Sequence, residues 1–224
     1  MAIPKFRNHP IIKEFNGLKK FFRSHETSTS KKRVYDFNKF AELITTNEQE
    51  VAFDILGSVN FGQAKENSDT DLVIYLNCSE HDTGECDPGN CPNVHKFRTM
   101  LHENLKNEYG QSYSIEIVDC INLNQLDHAL KNRDLDSMSL IRFGFYRSIC
   151  RGINRKVLRK YEAKLSMDDE LCQMIEASLA DCFLGFIHSS QHTYSFKKYV
   201  DRLEEDGFKV PLSMAQKINS YLRV

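Results

Sequence analysis

Two short apolar runs, EVAFDIL at 50–56 and DLVIYL at 71–76, constrain the fold more than any other feature of the chain. Each is too short for a helix and too continuously apolar for a half-exposed strand, which is the signature of strands covered on both faces. Between them lies GSVNFGQAKENSDT, a polar loop that opens on Gly57-Ser58 and closes on an Asp69-x-Asp71 pair spanning the start of the second run. Such a loop, held between two buried strands, is a place where backbone and carboxylates can be presented together.

The rest of the chain supplies cover for those strands. Helical spacing is read at 9–24, through Ile11, Ile12, Phe15, Leu18, Phe21 and Phe22, with the polar HETSTSKK ending that element. A second helix is expected at 34–46 and another at 93–109, carrying Val94, Phe97, Leu101 and Leu105. YSIEIVDCINL at 113–123 reads as a third strand, with Ile115 and Ile117 on one face and Glu116 and Val118 on the other. Residues 124–141 read as helix and FGFYRSICRG at 143–152 as a further strand. Beyond that only helical signals appear, at 154–165, 168–192, 194–206 and 211–222, with Leu171, Ile175, Leu179, Phe183 and Phe186 in a packing stripe. The expected class is α+β (α/β), a small mixed sheet flanked by helices with a helical C-terminal region. The expected division is N-terminal helices at 1–48, a core at 49–152 with an insert at 77–95, and a helical region at 153–224.

Composition narrows the function classes. With 224 residues the chain can bury a core without disulfide or metal support. No apolar run approaches the roughly 18 residues of a membrane span, and MAIPKFRNHP does not read as a secretory leader, so a cytoplasmic protein with no membrane partner is expected. A formal charge of -1 argues against a broad basic surface for duplex nucleic acid. One basic segment, 147–164, gathers Arg147, Arg151, Arg155, Lys156, Arg159, Lys160 and Lys164, and reads first as a solvated helix face and second as a contact for RNA.

Asp69 and Asp71 are alternate residues and project to one side of their strand. Two carboxylates so close repel when ionised, and a cation between them relieves this. Oxygen-only ligands favour Mg2+ or Mn2+, which commonly join carboxylates to substrate phosphates. Gly57-Ser58 offers close backbone approach, a hydroxyl and N–H donors beside those phosphates. Glu116 is the candidate third carboxylate, and Asp119 a reserve whose odd offset places it on the opposite face.

The combination resembles the DNA polymerase beta-like nucleotidyltransferase superfamily: Leu56-Gly57-Ser58, then ten residues ending in Ser68, then Asp69-Thr70-Asp71-Leu72, and an acidic residue on a later strand. Gly62 also matches a glycine common in small bacterial and archaeal members and their antitoxin relatives. The resemblance covers about residues 45–125, with support from the strand expected at 143–150. It implies a nucleotidyltransferase fold in which Gly57, Ser58 and Ser68 bind a nucleoside triphosphate. Asp69, Asp71 and Glu116 then hold Mg2+ or Mn2+, and a nucleoside monophosphate, AMP from ATP, passes to a small-molecule or protein hydroxyl with release of pyrophosphate. Glu116 departs from the family pattern, where aspartate is usual. Two alternatives stay open: a non-catalytic nucleotide-binding or antitoxin-like interaction module, and nucleotide addition to an RNA end.

Seven cysteines, without an export signal, argue against a disulfide framework. Cys120, Cys150, Cys172 and Cys182 stand singly and read as small packing residues. The segment NCSEHDTGECDPGNCPNVH instead carries Cys78, His81, Cys86, Cys91 and His95, a donor set sufficient for a Cys3His zinc site near the carboxylate edge. The same segment, with Asp82, Glu85, Asp87, Pro88 and Gly89, also reads as an acidic connecting loop.

Overall fold

The computed structural model describes residues 9–46, 51–81, 84–110, 114–187 and 190–221. Expected element ends at Glu50, Tyr113 and Leu222, the helical run across 188–189, Asp82 and the side chain of Phe186 lie outside the described residues. The chain forms a mixed four-stranded sheet flanked by helices. Its strands are β1 (Val51–Ile55), β2 (Thr70–Leu76), β3 (Ile115–Asn122) and β4 (Arg151–Ile153), in the order β3-β2-β1-β4. β1 is antiparallel to β2 and β4, while β2 and β3 are parallel. A parallel pair cannot be closed by a tight turn, and the segment between β2 and β3 accordingly makes a long crossover through the cysteine-rich insert.

Two apolar layers cover the sheet. On one face, Phe53, Ile55, Leu72, Ile74 and Ile117 pack with α2 (Ser28–Thr46) and α4 (Pro92–Tyr109) through Phe37, Phe40, Ile44, Val94, Phe97 and Leu101. On the other, Ala52, Val73, Tyr75 and Ile121 meet α1 (Pro10–Ser24), α5 (Leu123–Asn132), α6 (Met138–Ile149), α7 (Arg155–Met167), α8 (Asp169–Ile187), α9 (Ser190–Glu205) and α10 (Leu212–Tyr221). Phe15, Phe22, Leu140, Phe143, Ile175, Leu179, Phe183 and Phe196 fill this second layer. Cover on both faces explains why β1 is buried at every position.

Three sequence expectations are corrected. The polar HETSTSKK does more than end α1: the chain turns at His25, Glu26 and Thr27, then enters α2 at Ser28, where Thr27 Oγ1 accepts from the Ser30 N–H at 3.1 Å as an N-terminal cap. The stretch 124–141 divides into α5 and α6 at Arg133, which takes a left-handed conformation with φ 54°. Most consequentially, 143–150 is helical: α6 runs to Ile149 and the fourth strand is only the three residues Arg151–Ile153. Arg147, counted with the exposed basic segment, is buried among ion partners. It donates to Asp54 of β1 and, at 2.9 Å, to Glu162 of α7, while the Tyr75 hydroxyl donates to Asp54 at 2.7 Å. Burying an aspartate inside a central strand is tolerable only with such partners.

Candidate functional site

The antiparallel pairing of β1 with β2 sets Ile55 opposite Leu72, so the residues after β1 lie beside those opening β2. The Leu56 N–H donates to the Asp71 carbonyl at 2.9 Å and extends this contact by one step. Gly57 then turns with φ 58°, and a Cβ built there would stand 1.9 Å from Asp71 Oδ2. Only glycine accommodates both the left-handed backbone and that approach. Ser58 follows on the same cleft wall.

Asp69 and Asp71 are brought together with Glu116 by the parallel β2–β3 register, which pairs Asp71 directly with Glu116. One oxygen from each of the three carboxylates lies within 4.8 Å of the others. Asp71 is half-buried, and burial, followed by the charges of Asp69 and Glu116, pushes its pKa up to about 6. Burial weighs most in that shift, and the two neighbouring carboxylates add to it. The donor set, all carboxylate oxygen, suits a hard divalent cation.

The loop is held by Arg33 and Thr27, which the sequence did not single out, and by Ser68 and Gly62, which it did. Arg33 of α2 is buried and donates to the carbonyls of Glu66 and Asp69 at 3.0 Å each and to Thr70 Oγ1 at 3.1 Å, fixing the backbone that carries the first carboxylate. Ser68 accepts the Lys65 N–H at 2.9 Å, so its hydroxyl closes the loop from within. Gly62, with φ 75°, packs where a Cβ would be 3.0 Å from Glu26 Cγ at the α1–α2 turn. Thr27 seals that junction by donating from its N–H to the Gly62 carbonyl and from its hydroxyl to the Ala64 carbonyl.

Gly57, Ser58, Ser68, Asp69, Asp71 and Glu116 line a cleft of about 1050 Å³. Phe61, Phe145, Tyr146 and Ile149 form its apolar side, and α9 forms a wall through Ser195, Lys198, Tyr199 and Arg202. Tyr199 has its pKa pushed up to about 12 by burial, with a smaller contribution from the charge of Asp71, which places the two within electrostatic reach. Arg202 donates to the Gln63 carbonyl at 2.6 Å and so ties α9 to the loop. The α9 wall has a sequence signal, polar groups at i, i+3, i+4 and i+7 beginning at Ser195, yet its apolar members Phe196 and Leu203 make the same helix read as packing alone.

Asp119 corrects the face expected of it. A bulge between Leu72 and Val73 leaves Val118 unpaired, so Asp119 pairs with Val73 and shares the side of Asp71 and Glu116. It is not part of the carboxylate group. Arg142 grips it with contacts of 2.6 and 2.9 Å, and the Tyr146 hydroxyl donates to it at 2.7 Å.

Comparison with family models, with curated proteins and with solved structures yields no match. The site's chemistry therefore stands on its own geometry.

The cysteine-rich insert is a second group of donors. Cys78, Cys86 and Cys91 are buried and bring their sulfurs within 4.8 Å of one another. Among the described residues neither His81 nor His95 joins them: His95 is exposed with Nε2 at 2.8 Å from the Gly89 carbonyl, and the His81 carbonyl is held by Asn122. The position also differs from expectation. β2 separates this group from the carboxylates, with about 20 Å of strand between Asp71 and Cys78. Of the basic segment, Arg151 pairs with Glu26, Lys164 with Asp127 and Arg155 lies 3.9 Å from Glu162, while Lys156, Arg159 and Lys160 are exposed on α7, with Lys160 over the Tyr161 ring. No helix among the described residues is long and apolar enough to cross a membrane.

Proposed function

We propose that the protein is a metal-dependent nucleotidyltransferase of the polymerase beta-like kind, moving a nucleoside monophosphate, AMP from ATP, to a hydroxyl acceptor with release of pyrophosphate. The observation that carries this reading is the convergence of Asp69, Asp71 and Glu116 from two parallel strands against Gly57-Ser58 in one large cleft. Asp69, Asp71 and Glu116 would hold Mg2+ or Mn2+, which supplies charge neutralisation of the phosphates and lowers the pKa of the attacking hydroxyl. The chain's own residues bind and orient. The absence of a side chain at Gly57 lets the Asp71 carboxylate sit against the backbone that would face the phosphates, and the Ser58 hydroxyl would add a donor. Lys198 and Arg202 stand on the α9 wall together with Asp201 and Glu205, and the aromatic side of the cleft offers a face for a base or an apolar acceptor. Register with Asp71 answers the longer side chain of Glu116, since its carboxylate reaches the other two in spite of the extra methylene.

Pyrophosphate release from each nucleoside triphosphate, with Mg2+ or Mn2+ and a cell extract as acceptor source, tests the reading. Release is expected with the wild type and is lost in Asp69→Ala/Asp71→Ala, which should keep its fold. Nucleotide binding without release by the wild type would instead favour a non-catalytic nucleotide-binding module. Release that survives the double substitution would overturn the assignment of the site.

A further inference from the structure

The insert holds more than the three thiols its own sequence supplies. Cys120 of β3 is fully buried in the same apolar layer as Cys78, Cys86 and Cys91, turned to their side of the sheet by the bulge at Val118, while the sulfurs within 4.8 Å of one another are those of Cys78, Cys86 and Cys91. Cys78 and Cys91 sulfurs stand 3.7 Å apart. Four thiolates around one zinc at about 2.3 Å are separated by about 3.8 Å along each edge of the tetrahedron. A disulfide needs about 2.05 Å, and all four cysteines are free.

We propose that Cys78, Cys86, Cys91 and Cys120 form a closed tetrathiolate site for one zinc ion, a site built from the crossover loop and β3 in place of the Cys3His set that the insert's spacing suggests. Two asparagines, one at the sulfurs and one at the loop, favour this chemistry. Asn93 Nδ2 donates to the Cys78 sulfur at 3.2 Å, a hydrogen bond of the sort that orients and tunes a metal thiolate. Asn122, buried at the end of β3, anchors the loop itself: its side chain accepts from the Cys78 N–H at 3.3 Å and donates to the carbonyls of His81 and Gly84.

With every position filled by protein and all four sulfurs buried, the site leaves no open coordination position and is structural. It fastens the crossover to β3 at the residue after Asp119, where Arg142 donates at once to Asp119, to the Cys120 carbonyl at 2.7 Å and to Glu85 at 2.8 Å. Binding releases the thiol protons to solvent, so metal affinity rises with pH. None of this depends on the transferase reading.

The test uses the full-length chain, purified under reducing conditions. One zinc per chain is expected, and X-ray absorption of that zinc should give four sulfur neighbours at about 2.3 Å. Three sulfurs with one nitrogen or oxygen would overturn the role of Cys120, and the absence of both bound zinc and zinc uptake would overturn the site. Replacement by Co2+ should give the intense spectrum of a tetrathiolate centre in the wild type and in Cys182→Ser, whose cysteine is exposed. Cys120→Ser should shift that spectrum to a three-sulfur form, and an unchanged spectrum counts against the proposal. Asn93→Ala, a milder change, should weaken zinc in competition with a chelator by about 10–100-fold.

Discussion

Asp71 is the residue on which the carboxylate group balances. Its raised pKa, about 6 against an ordinary 3.8, arises from burial first and then from Asp69 and Glu116. A carboxyl that resists ionisation in the fold destabilises it wherever the unfolded chain would ionise, so the penalty is complete above about pH 6 and absent below about pH 4. Asp71→Asn should therefore raise the melting temperature of the metal-free protein at pH 7 to 8, with the gain fading as pH falls from 6 to 4. Thermal unfolding across that range, with chelator present, measures it. An equal gain at pH 4 would show that packing, and not charge, is responsible. Mg2+ should narrow the difference at neutral pH, because the wild type gains a counter-ion that the variant holds less well. Much of this site was legible in sequence. Gly57-Ser58 and Asp69-x-Asp71 lie at the ends of two short apolar strands, and pairing of those strands leaves the four residues little choice but to meet. The contribution of Arg33 was not legible, because a buried arginine whose partners are backbone carbonyls looks in sequence like any charged helix residue.

At the scale of elements, the sequence misreads α6 for a physical reason. Phe143, Phe145, Arg147 and Ile149 alternate as a strand would, while the helical stripe is Leu140, Phe143, Gly144, Arg147 and Ser148, two of whose members are polar yet buried. Burial of Arg147 is made tolerable by Asp54 and Glu162, partners 93 and 15 residues away that no local pattern reveals. The same triad joins β1, α6 and α7. Arg147→Met should cost about 3–5 kcal/mol, since two buried carboxylates lose their shared cation. Denaturant unfolding checks this, and a loss below about 1 kcal/mol would put the triad in the class of exposed pairs. The bulge at Val118 was equally hidden. One unpaired residue leaves no trace in composition, yet it turns Asp119 and Cys120 to faces opposite those that simple alternation gives, Asp119 toward the cleft and Cys120 toward the thiols.

At the scale of the molecule, α1, one face of the sheet and the C-terminal helices share one apolar layer. Phe22 of α1 stacks on Phe196 of α9 with ring centres 6.0 Å apart, Phe61 of the motif loop meets Phe196 edge-on at 5.3 Å, and Phe145 of α6 stacks on Phe183 of α8 at 5.1 Å. Removal of α8 to α10 by ending the chain at Asp168 should therefore abolish cooperative thermal unfolding, seen by calorimetry. A sharp transition in the shortened chain would show that the sheet and remaining helices form a self-sufficient unit. The register of the sheet bears finally on the order in which the molecule assembles. Ile55 and Leu72 are 17 residues apart in sequence, Asp71 and Glu116 are 45 apart, and Phe53 and Ile153 are 100 apart. Closure of a longer loop costs more entropy before contacts repay it, so the β1–β2 pair is favoured to form first and the β4 edge last. A folding chain thus brings Gly57 to Asp71 early, and its third carboxylate arrives only when the parallel crossover closes.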